Sequence, residues 1–205
     1  MDGTLTSTSS GKHLAEFLGH AEVIQEVQAG YGAGRLSSHE AAVREARGWA
    51  SRTPAEVRGL LESLPLVDGI AEAVLWCRRS GLVPVLATLA WDVVGIHLCD
   101  RFDFERSCGP RLELVDGCYS GEVTEQFDEL SKCDFALNMA DELGVDPRRC
   151  VAVGDGRSDV PPFSEVGLAI AFNATPEART AAHVAVDGTD MRAVLPLLDA
   201  WLRGR

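Results

Sequence analysis

The chain has 205 residues, 46% of them apolar, and sets 19 Lys and Arg against 31 Asp and Glu, a formal net charge of −12. That length buries the core of one domain, alone or with an insertion, and that charge repels nucleic acid and anionic membrane, so neither is expected as a partner. No apolar run approaches the roughly 18 residues needed to cross a bilayer and no basic segment leads into an apolar one, which predicts a cytoplasmic protein. The six cysteines form no C-x-x-C pair, so neither a zinc site nor a disulfide scaffold is indicated.

From Leu14 to Leu64 the apolar positions recur at helical spacing: Leu14, Phe17, Leu18, Ala21, Ile24 and Val27, then Val57, Leu60, Leu61 and Leu64. Gly30 to Arg35 is glycine-rich, but it lies between helical segments and follows no strand, so it reads as a connection and not as a phosphate loop. Thr53-Pro54-Ala55-Glu56 supplies an N-cap, a proline at the first helical position and a glutamate that closes a capping box. A helix is predicted over Ile70 to Ser80 and a strand over Leu82 to Thr88. Asp116-Gly117 between two strand-like runs predicts a small antiparallel hairpin. Another helix follows over Ser131 to Leu143, and the apolar runs Cys150 to Gly154, Leu168 to Phe172 and His183 to Val186 read as strands. Short apolar strands alternating with helices predict an α/β fold, a Rossmann-like three-layer core with a parallel sheet. Residues 1–7 and 70–205 are assigned to that core and residues 8–69 to a small helical cap.

Four separated features suggest chemistry. They are Asp2-Gly3-Thr4-Leu5-Thr6, Thr88 at the end of a predicted strand, Lys132 near the start of a predicted helix, and Gly154-Asp155-Gly156-Arg157-Ser158-Asp159 after another strand. In a doubly wound sheet ligands bind outside the carboxyl ends of the strands, so three of these would face one crevice. Taken singly, each has an ordinary structural account. Asp-Gly suits a terminal turn, a threonine often ends a strand, and Asp155 and Asp159 could end a strand and cap a helix. Lys132 says more, because a cation in a first helical turn opposes the helix dipole at a cost of a few tenths to about 1 kcal/mol. Two carboxylates four residues apart in a glycine-containing turn also suit an all-oxygen Mg2+ site.

In this order the features resemble those of the haloacid dehalogenase superfamily, in its phosphoserine phosphatase-like branch, whose members carry D-x-D-G-T-L-T, a Ser or Thr, a Lys and G-D-x-x-x-D. The text here is MDGTLT, Thr88, Lys132 and GDGRSD, and GLAIAFNATP and RLELVDGCYSGEV extend the resemblance over nearly the whole chain. The resemblance implies a Mg2+-dependent phosphatase that acts on a small phosphorylated metabolite through an aspartyl-phosphate. It implies Asp2 as acid/base and, through its carbonyl, a metal ligand. Thr88 and Lys132 would hold the phosphoryl group, Asp155 and Asp159 the metal, and Asn173 would lie near the substrate. The chemistry is coherent, since one carboxylate attacks phosphorus while another protonates the departing oxygen and later activates water.

The attacking carboxylate of D-x-D would stand two positions before Asp2, ahead of Met1. The expectation is therefore an enzyme truncated at an internal methionine, lacking its first core strand and inactive as given. The alternative is a noncatalytic ligand- or protein-binding member. It is disfavoured because loss of a central strand strands buried backbone groups at about 1–3 kcal/mol each, against a typical stability of roughly 5–15 kcal/mol. Phosphoserine phosphatases hold the substrate ammonium with an acid soon after the first motif and its carboxylate with a cap arginine. The acidic place falls here near Ser9 or Ser10, the nearest acid is Glu16, and the arginine candidates are Arg44 and Arg47.

Overall fold

The computed structural model describes residues 1–204. It begins with four helices, α1 (Ser10–Leu18), α2 (Ala21–Gly32), α3 (Ser38–Ala46) and α4 (Pro54–Leu61). Their starts are written locally. Ser9 caps α1 by accepting from Lys12 N, and Ser37 with Glu40 and Thr53 with Glu56 form reciprocal capping boxes. The periodic residues Leu14, Leu18, Ile24, Val27, Val57 and Leu61 are all buried, which is what one apolar stripe per helix requires.

The α/β part follows, opening with α5 (Ile70–Arg79), β1 (Leu86–Ala87), α6 (Asp92–Phe102) and β2 (Ser107–Cys108). Next come the hairpin strands β3 (Arg111–Val115) and β4 (Cys118–Glu125), and then α7 (Glu129–Glu142) and β5 (Val151–Gly154). The chain continues through α8 (Val160–Glu165), β6 (Leu168–Phe172), α9 (Pro176–Ala181), β7 (Val184–Val186) and α10 (Leu195–Arg203).

The strand expected over Leu82 to Thr88 is reduced to Leu86–Ala87, paired in parallel with Ser107–Cys108. Pro84 has no N–H for a ladder, and its carbonyl instead accepts from Glu105 N. The other parallel strands form a separate sheet in the order β5-β6-β7, with Val153 opposite Ile170 and Phe172 opposite Val186. Central β6 is buried from Ala169 to Phe172, whereas Val151 to Val153 on edge strand β5 are half-buried. The hairpin forms as expected, with Asp116 and Gly117 both at positive φ, 51° and 81°, the backbone that lets a two-residue turn follow the strand twist. It leans on the N-terminal helices: the Trp49 ring meets Tyr119 edge-on at 5.5 Å, Ser51 N donates to the Tyr119 carbonyl, and Tyr119 N donates to the Arg52 carbonyl.

One core cluster joins the N-terminal helices to β1 and β6 through Leu14, Trp49, Leu86, Val94 and Phe172. A smaller one surrounds Phe163 between α8, α9 and β6. Among the described residues no helix is long and apolar enough to cross a membrane.

Candidate active site

The first six residues form a tight turn in which the Met1 carbonyl accepts from Thr4, Leu5 and Thr6 N. Gly3 lies at φ +78°, and a Cβ there would collide with the Asp155 carboxylate, so glycine is required on two counts. The Asp2 carboxylate accepts from Ser10 N and Ser10 Oγ, both at 3.0 Å, at the start of α1. Burial nonetheless raises its pKa, with the Ser10 donors opposing the rise.

Asp155 stands at the end of β5, where Oδ1 accepts from Thr4 Oγ1 at 2.7 Å and burial again raises the pKa. Asp159 is fully engaged by the protein. One oxygen accepts from Asp155 N and Gly156 N at 2.9 and 3.0 Å, and the other meets Lys132 Nζ at 2.5 Å. Burial pushes the Asp159 carboxyl up, but the Lys132 ammonium and these donors outweigh it, so its pKa is lowered. Lys132 also reaches Ser158 Oγ at 3.3 Å. Its helix starts at Glu129, two residues earlier than expected, because Asp128 takes the N-cap by accepting from Ser131 N. The dipole cost at Lys132 is offset by Asp159. Thr88 is buried just past β1, and its Oγ1 accepts from Ala90 N at 3.0 Å.

Asp2, Thr88, Lys132, Asp155 and Asp159 line one cavity of about 260 Å³ between the N-terminal helices and the carboxyl ends of β1 and β5. Asn173 does not line it. It sits at φ 50° after β6, and its carboxamide bonds Gly188 N and Gly188 O, so it closes a loop. Ser9 and Ser10 do line the cavity, whereas Glu16 is exposed and outside it. Arg44 and Arg47 are exposed around a separate depression with His39, Glu40 and Val43.

Sequence reasoning missed several lining residues, among them Ser158, Glu45, Gln28, Tyr31 and Arg157. Ser158 and Arg157 carried a signal, since they lie inside GDGRSD. Arg157 Nη2 pairs with Glu129 Oε1 at 2.9 Å while its guanidinium stacks 4.4 Å from the Tyr31 ring centre. Tyr31 Oη donates to the same carboxylate at 2.7 Å, tying α2 to the start of α7. Glu45, on α3, has its pKa raised to about 7 by burial and by the neighbouring Asp2 charge.

Among the described residues no three His, Cys, Asp or Glu side chains group as a metal cage. The donor set suits an ion that keeps water and takes ligands from one or two carboxylates and a phosphate, as Mg2+ does. Asp155 is a half-buried carboxylate whose Oδ1 accepts from Thr4 Oγ1. Asp159 accepts from Lys132 and two amides, which fixes the loop beside Asp155.

The family model of haloacid dehalogenase-like hydrolases matches residues 1–163. The chain belongs to that family. Among its relatives, the phosphoserine phosphatase of Haemophilus influenzae is 25% identical over 202 residues. That match takes 98% of this chain but only 64% of the relative, so the chain spans under two thirds of that protein's length. The phosphoserine phosphatase of Polaromonas sp. is 26% identical over 207 residues, covering 97% of this chain and 87% of the relative. A substrate-bound phosphoserine phosphatase structure superposes with a TM-score of 0.87 at 22% identity, covering 96% of this chain and 94% of that one. A phospho-aspartyl intermediate analogue of phosphoserine phosphatase gives 0.86, also at 22% identity and with 96% and 95% covered. The fold shared with these structures is the α/β fold expected from the strand and helix alternation.

Proposed function

We propose that the protein is a cytoplasmic phosphatase that hydrolyses a small-molecule phosphate monoester through an aspartyl-phosphate, with Mg2+ as cofactor. The observation that carries this reading is the meeting of Asp2, Thr88, Lys132 and Asp155, from four distant parts of the chain, on one cavity. In this reading the Thr88 hydroxyl and the Lys132 ammonium hold the phosphoryl oxygens. Asp2, kept protonatable by burial, gives its proton to the departing alcohol oxygen and afterwards takes one from the attacking water. Ser10 fixes the Asp2 carboxylate for that exchange through its two hydrogen bonds. The Asp155 carboxylate and the Asp2 carbonyl would hold Mg2+, which would supply positive charge to the phosphoryl group. Residues 8–69 act as a cap that shields the ester from bulk water.

Residues i and i+2 of a strand face one way, so an aspartate placed two positions ahead of Asp2 would share its face and could attack the phosphorus. A decisive experiment adds five or six apolar residues ending in Asp ahead of Met1 and measures phosphate release from a panel of phosphorylated amino acids, sugars and alcohols. The expected result is Mg2+-dependent turnover that is abolished by chelation and lowered roughly 10²–10⁴-fold by Asp2→Asn. Turnover that persists in excess chelator would overturn the metal role. Tight binding of esters without turnover in the extended protein would favour a noncatalytic, ligand-binding member of the family.

A further inference from the structure

The cavity has two chemically different ends. Thr88, Lys132, Asp155 and Ser158 form the phosphate end, while the N-terminal helices contribute Ser9, Gln28, Ser38 and Glu45 to the opposite wall, with Val27, Ala42 and Trp91 beside them. Three polar atoms of that wall converge on Gly11: Glu45 Oε2 and Ser9 Oγ stand 3.6 Å, and Gln28 Nε2 3.8 Å, from the place a Cβ would take there. Gln28 Nε2 donates to Ser9 Oγ, so this amide is already committed.

The charges of the wall are unbalanced. Four carboxylates line the cavity (Asp2, Glu45, Asp155 and Asp159) against three cations, Lys132, Arg157 and the α-ammonium of Met1, and the Met1 charge bears on Asp2, Asp155 and Asp159 but not on Glu45. Of the side-chain cations, Lys132 is taken by Asp159 and Arg157 by Glu129. Glu45 has no ion-pair partner among the described residues, and the charge that bears on it is that of another acid, Asp2. Arg44 and Arg47, the cap cations that could have met a carboxylate, open onto a different surface. A ligand carboxylate at this wall would face the Glu45 acid and no cation of the N-terminal helices, whereas a ligand ammonium would find a carboxylate that is held by a Trp91 hydrogen bond but has no ion-pair partner, with the Ser9 hydroxyl beside it.

We propose that Glu45 is the specificity-determining residue of the leaving-group subsite. It accepts the ammonium of an amino-alcohol phosphate monoester and disfavours esters whose alcohol carries a carboxylate. The inference rests on the phosphatase reading and narrows it to a substrate class.

The test is calorimetric binding to the Mg2+-loaded 205-residue protein of O-phosphoethanolamine, O-phosphoserine, glycerol 3-phosphate and inorganic phosphate. Phosphoethanolamine is expected to bind at least 10-fold more tightly than phosphoserine. Glu45→Gln is expected to lower the ratio of affinities for phosphoethanolamine over glycerol 3-phosphate roughly 10- to 100-fold, the range for a hydrogen bond between charged groups. Glu45→Arg should reverse the preference toward phosphoserine, which a merely structural glutamate would not do. Equal or tighter binding of phosphoserine by the unaltered protein, or a Glu45→Gln variant with an unchanged ratio, overturns the inference while leaving the phosphatase reading in place. Failure of all four ligands to bind, inorganic phosphate included, overturns the phosphatase reading and the inference with it.

Discussion

Replacing Lys132 by Met tests the most exposed weakness of the site's architecture. The Lys132 and Asp159 side chains are 5% and 7% accessible, and their charged atoms are 2.5 Å apart. Removing the ammonium leaves a buried carboxylate whose Oδ2 keeps two amide donors but whose Oδ1 has lost its partner. Breaking a buried pair from one side costs about 3–5 kcal/mol. With a urea dependence of about 2 kcal/mol per molar, the unfolding midpoint should fall by about 2 M. Trp49 and Trp91, both buried in the main core, give the fluorescence signal. In an Asp159→Asn background the same Lys132→Met change should cost far less, because no charge is stranded and the amide oxygen still accepts from Asp155 N and Gly156 N. A Lys132→Met penalty under about 1 kcal/mol, or equal penalties in the two backgrounds, would refute the reasoning.

Burial lowers the pKa of His20, and of His97, below the ordinary histidine value of about 6.5. The unfolded chain therefore binds more protons than the folded one as pH falls through 6.5, and stability should drop there. Thermal melts at pH 7.5 and 5.5 check this, and His20→Gln should shrink the difference between them. Glu129 joins α7 to α2, α3 and the Arg157 loop through Tyr31 Oη, Ser38 Oγ and Arg157 Nη2. Glu129→Gln should thus speed ligand dissociation roughly two- to fivefold, the worth of a half-exposed ion pair; an unchanged off-rate in stopped-flow would remove its role in holding the cavity shut. Asn173→Ala should leave phosphate binding intact yet cost about 1–2 kcal/mol in urea unfolding, since two hydrogen bonds to Gly188 go. A weakened phosphate affinity in that variant would return Asn173 to the substrate.

What the sequence by itself determined was local in origin. Thr53 announces its helix because an N-cap reaches only three residues along the chain. Asp116-Gly117 announces its hairpin because both residues tolerate positive φ. Thr88, Lys132 and Asp155 were legible for a related reason: each sits beside the end of an element whose type the neighbouring residues already set. Asp2 was legible only through the Asp-Gly-Thr-Leu-Thr run it opens. Tertiary structure decided the rest. The run Leu82 to Ala87 has the apolar character of a strand, but only two of its residues find a partner, and pairing is a property of what lies alongside. Asn173 lies next to a strand end like the others, yet a turn fifteen residues on captures its amide. Glu45 could not be assigned from sequence at all. The helical period of α3 sets Ala42 and Ala46 against the core, but whether the residue beside them meets solvent, a cation or Asp2 depends on a contact across forty-three positions. Side-chain charges act through distance in space, and only packing converts that into distance along the chain.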